Sequence, residues 1–89
     1  MEEWGSHHRE AMGAAVRELR ARRGFSQERL GREGGLHRNY VGAVERGEIN
    51  PTFRILLQLC RGLDVSLTVL AHVYQRQLAG RARLPRRIP

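Results

Sequence analysis

Apolar residues return every three or four positions through most of this chain, the period of helices that bury one face. Met12, Val16 and Leu19 form the first stripe, widened by Ala15, and predict a helix from Glu10 to Arg23. Gly24 ends it, and Phe25 is an apolar plug ahead of the next element. Ser26 is a suitable N-cap from which Gln27-Glu28-Arg29-Leu30 continues as a short helix. A second short helix lies near His37 to Arg46, with Val41 and Val44 at i, i+3 and Leu36 in the turn before it. Gly34-Gly35 supplies the tolerance of positive φ that a tight turn requires, and Gly47 suits a left-handed C-cap. Gly31 fits a steep crossing of the two helices, where a side chain larger than methyl would hold the backbones apart. The pattern is that of a helix-turn-helix.

Asn50-Pro51-Thr52 starts a fourth helix, with proline at or next to its first position. Phe53, Leu56, Leu59, Cys60 and Leu63 make its core stripe, and Cys60 reads as a small buried hydrophobe. Ile55 and Leu57 lie beyond that stripe and suggest a second burial surface. Ser66 caps a fifth helix whose Leu67, Leu70, Ala71, Tyr74 and Leu78 share a face, flanked by Val69 and Val73. That apolar surface is wider than one neighbour needs, so Ile55, Leu57, Val69 and Val73 are the candidate dimer interface. Residues 1–9 have no period, and residues 80–89 hold four arginines, two prolines and no acid. The expected organisation is therefore all-α: a disordered N-terminal segment over 1–9, a compact five-helix domain over 10–79 and a basic flexible tail over 80–89.

The run Ser-Gln-x-x-Leu, then Gly-Leu-His-Arg-Asn-Tyr-Val, then Glu-Arg-Gly-x-x-Asn-Pro resembles the Cro/lambda-repressor-type helix-turn-helix family, also described as xenobiotic-response-element-like. The resemblance covers about Met12 to Leu70. Gly31 stands where the family more often has alanine, and Gly42-Ala43 leaves the middle of the second motif helix without long polar side chains. The resemblance implies a lambda-repressor-like fold and a structural pair between Arg20 and Glu45, tying the first helix to the end of the recognition helix.

Composition narrows the partner. Among 89 residues there are 16 arginines, no lysine and 9 acids, a net charge of +7 that favours a polyanion, nucleic acid ahead of lipid. A single cysteine excludes an internal disulfide and a cysteine-based zinc site, and the adjacent His7 and His8 read as solvated. No signal peptide or membrane-spanning run is visible, and the expected location is cytoplasmic. There is no glycine-rich phosphate loop and no nucleophile with a base, so neither enzyme chemistry, cofactor, metal nor small-molecule substrate is expected.

Double-stranded DNA is the expected partner, bound by a homodimer. The exposed start of the second motif helix carries Arg38, able to donate bidentately to guanine, and Asn39, able to pair with adenine. Deeper along it, Gly42 and Ala43 can meet thymine methyls or allow close backbone approach. Gln27, His37, Tyr40 and Arg46 are the candidate phosphate contacts. These features predict a sequence-specific transcriptional regulator, a repressor or restriction-modification-type controller, binding a palindromic operator as a dimer. The alternative is an antitoxin-like interaction module whose main partner is another protein.

Overall fold

A computed structural model describes the backbone of residues 2–82 and the side chains of residues 5–81. These residues form five helices: α1 Glu2–Arg23, α2 Gln27–Gly34, α3 Arg38–Glu45, α4 Phe53–Leu63 and α5 Leu67–Ala82. Side chains cap most of the helix starts. The Ser26 hydroxyl accepts from the Arg29 N–H at 2.9 Å, Thr52 from Ile55 at 3.2 Å and Ser66 from Val69 at 3.1 Å. Pro51 therefore precedes the N-cap of α4 instead of opening the helix. Gly35 (φ 75°) and Gly47 (φ 72°) take the left-handed conformation expected of them at the ends of α2 and α3.

Val16, Leu30, Val41, Val44, Leu59, Leu63 and Leu70 are fully buried, so every helix contributes to one core. Cys60 lies in it, and burial raises its thiol pKa. Gly31 is required more strictly than the pattern suggested. A Cβ there would stand 2.5 Å from the Leu36 carbonyl oxygen, so even a methyl requires the backbone of the turn to shift. Gly13 has the same role between α1 and α3, where a Cβ would collide with the Val44 carbonyl oxygen and lie 2.6 Å from that of Glu45.

Several boundaries and faces differ from expectation. α1 begins at Glu2, not Glu10, so residues 2–9 are helical. Tertiary contacts hold these turns: Arg9 Nε donates to the Gly47 carbonyl at 3.1 Å, and His8 Nδ1 hydrogen-bonds the Tyr74 hydroxyl on α5. α5 continues through Gly80 to Ala82, across the expected start of the tail, and Arg83–Pro89 lie outside the described residues. Phe53 is 63 % exposed instead of core, because the first position of α4 projects past the bundle. Val73, expected on a dimer surface, is 2 % exposed and belongs to the chain's own core, whereas Val69 is 40 % exposed. α5 is rolled so that Leu70 and Val73 point inward, which leaves Leu67 and Ala71 outside. Among the described residues no single helix is long and apolar enough to cross a membrane.

Candidate nucleic-acid interface

α3 divides sharply into two sides. Val41, Gly42, Val44 and Glu45 are buried; Arg38, Asn39 and Arg46 are exposed, and Ala43 is half-buried between them. Asn39, Ala43 and Arg46 follow at i, i+4, i+7, so they make one outward row, with Arg38 beside its start. His37 sets the beginning of that row. Its Nδ1 accepts from the Asn39 N–H at 3.0 Å, which leaves the ring proton on Nε2, facing away from the cap. Arg38 is held loosely: its Nη1 lies 3.8 Å from Glu28 and both side chains are exposed. Arg46 donates to Glu48 at 2.8 and 3.2 Å, again an exposed pair that raises the Arg46 pKa by hydrogen bonding. The Tyr40 ring packs against the core and is half-buried.

Gly42 does not face outward. It is buried under two neighbours, and a Cβ there would meet Arg46 Nη1 at 3.0 Å and Gln27 Oε1 at 3.3 Å. The absent side chain lets Gln27, the first residue of α2, lie across α3; Gly42 is not placed to read a base. Ala43 remains on the outward row.

Beneath that row lies the Arg20–Glu45 pair. Glu45 has a fully buried side chain and receives Arg20 Nε at 2.6 Å and Nη2 at 2.9 Å, a two-point grip. The third guanidinium nitrogen, Nη1, donates to the Phe25 carbonyl at 2.7 Å. Hydrogen bonding to Glu45 raises the Arg20 pKa above its ordinary value. Gln27 Nε2 also donates to Glu45, at 2.9 Å. One N–H of the Gln27 amide is thus occupied inside the protein. The second N–H and the unpaired backbone N–H groups at the start of α2 remain for an anion.

Two features escaped the sequence reading. Gly13 sets how closely α1 can support α3, and a lone glycine within a helical stripe carries no signal of that. Arg17 comes to 3.8 Å from Glu45 with 60 % of its side chain exposed. Its i−3 spacing from Arg20 was the available clue.

A short helix supported from behind, with polar and basic residues outward and a second helix starting against its middle, defines a helix-turn-helix DNA-binding domain. The Cro/C1-type helix-turn-helix family model matches residues 16–70, and the chain belongs to that family, a DNA-binding regulator of transcription. Over 62 residues it is 40 % identical to the control protein C.SmaI of Serratia marcescens, covering 70 % of this chain and 74 % of that protein. Over 52 residues it is 40 % identical to the HTH-type transcriptional regulator YgzD of Bacillus subtilis, covering 58 % and 79 % respectively. The restriction-modification controller C.AhdI from Aeromonas hydrophila superposes with a TM-score of 0.67 at 43 % identity, over 68 % of this chain and 92 % of that one. The clp gene regulator ClgR from Corynebacterium glutamicum gives a TM-score of 0.80 at 28 % identity, over 85 % and 81 %.

Proposed function

We propose that this chain is a sequence-specific repressor or controller that binds a palindromic operator as a homodimer, with Arg38 and Asn39 reading base edges in each half-site. The observation that carries this reading is the division of α3, whose outward Arg38 and Asn39 side chains are exposed and held at most loosely while its inward side is wholly committed. The similarity to control proteins of restriction-modification systems supports the controller role. His37 through Nε2, Arg46 and the α2 start at Gln27 hold phosphates, with Tyr40 at the rim. The dimer forms through apolar side chains that α4 and α5 leave exposed, Leu57 and Val69 together with the half-buried Ile55. A regulator of this kind acts where the DNA is, and on that ground we assign it to the cytoplasm.

Selecting bound sites from random duplex DNA tests the reading directly. It predicts a two-fold symmetric site with half-sites roughly 34–36 Å apart. Arg38→Ala and Asn39→Ala then cost about 1–3 kcal/mol on that site and relax the preference there. Arg46→Ala weakens preferred and scrambled duplexes by similar factors. Equal losses on all sequences for the first two variants would make them backbone contacts and sink the base-reading assignment. A monomer in sedimentation at high concentration would sink the dimer, whereas Val69→Asp in a dimer should yield a folded monomer.

A further inference from the structure

Beside the C-terminal end of α3 the surface sinks into a hollow of about 310 Å³ lined by Glu10, Ala14, Arg17, Glu45, Arg46 and Arg81. Three helices meet there, and each supplies one guanidinium: Arg17 from α1, Arg46 from the end of α3 and Arg81 from the last turn of α5. The two acids offset only part of this charge: Glu45 is already gripped by Arg20 and Gln27, and the exposed Glu10, which accepts from Ser6 at 3.3 Å, sets one negative charge against three positive ones. Arg17 stands too far from Glu45 for a hydrogen bond, and the exposed Arg46–Glu48 pair is of the kind that contributes little and exchanges readily. The hollow is thus surplus in positive charge and rich in free N–H donors.

Its position relative to α3 identifies the anion. Arg38 to Arg46 is eight residue steps, about 12 Å along a helix, and the major groove is about 12 Å wide. With the start of α3 at base edges, its end therefore lies where a phosphate strand borders the groove. We propose that Arg81, with Arg17 and Arg46, forms a seat for a DNA backbone phosphate, so that α5 binds DNA alongside the helix-turn-helix. The proposal rests on the reading of α3 as the groove-entering helix.

The experiment is a fluorescence-anisotropy titration of the full chain against its selected duplex and a scrambled duplex across a salt series. Arg81→Gln should lower affinity for both duplexes by the same several-fold factor and make the slope of log K against log salt shallower by about 0.9, one phosphate contact. Arg81→Lys should restore the slope, and Arg17→Gln should repeat the loss. Arg54→Gln, which removes an exposed charge on α4 away from the hollow, should leave the slope unchanged. An Arg81→Gln protein with the wild-type slope, while Arg38→Ala is impaired, overturns the phosphate seat and leaves the α3 reading intact. A loss confined to the selected duplex, or an equal slope change in Arg54→Gln, overturns it as well. Wild-type protein that binds neither duplex overturns both readings.

Discussion

The two sides of α3 are eight residues of one helix under opposite constraints. Inward, Glu45 satisfies three donors from Arg20 and Gln27, Gly42 sits beneath Gln27 and Arg46, and the Val44 carbonyl nearly touches α1 at Gly13. Outward, Arg38 and Asn39 touch little that the fold needs. The difference separates the residues that place the helix from those that use it, and stability and binding should therefore respond to different substitutions.

The largest effect expected is on the inward side. Arg20→Ala leaves the Glu45 carboxylate buried without its main partner, and unfolding by denaturant should show a loss on the order of 3–5 kcal/mol. A double-mutant cycle with Glu45→Gln should give a coupling energy well above that of a surface pair; zero coupling would mean the pair does not hold α1 to α3. Gly13→Ala comes next. Its methyl must push α1 off the Val44 carbonyl, costing about 3 kcal/mol by thermal or chemical unfolding, although alanine is the better helix former. A stabilised Gly13→Ala protein would show that the α1–α3 contact is slack.

On the outward side the comparison predicts the reverse. Arg38→Ala and Asn39→Ala should change unfolding free energy by no more than about 0.5 kcal/mol while binding to the preferred duplex falls. A large stability loss in either would erase the distinction. The smallest effect concerns Glu18, which accepts from Arg76 at 2.7 Å and Gln77 at 2.9 Å and ties α1 to α5. The Arg76 and Gln77 hydrogen bonds lower its pKa from the ordinary 4.5. Its contribution is therefore present above about pH 4.5 and is lost as pH falls through the lower folded value. Glu18→Gln should lower stability slightly at neutral pH, leave it nearly unchanged below the folded pKa, and so flatten the acid limb of the stability profile.

What could be read in the sequence was what the chain settles locally. Ser26 as a cap, Gly35 and Gly47 as left-handed residues and the stripes of α1 and α4 each follow from neighbours within a few positions. The Arg20–Glu45 pair came from the family pattern, not from periodicity. Features that depend on which helix lies where were not legible. Val69 and Val73 look equivalent in a helix with apolar residues on several sides, and only the roll of α5 buries one of them. Gly42 looked like an opening toward DNA until Gln27 from another helix covered it. The first turns of α1 lack a stripe because their anchors are polar: Arg9 on a carbonyl and His8 on Tyr74.

The way Glu45 is held has a consequence for how such proteins diversify. A single replacement of Arg20 or Glu45 exposes the other to the full penalty of a buried, ill-matched group, and Gln27 loses its anchor with Glu45. An apolar substitute of equal stability requires Arg20, Gln27 and Glu45 to change together, because removing one partner of a buried pair alone is destabilising. Positions 38, 39 and 43 face no such barrier. Under the base-reading role proposed for Arg38 and Asn39, a changed operator preference needs only one substitution, whereas the platform that presents them resists change at any single position.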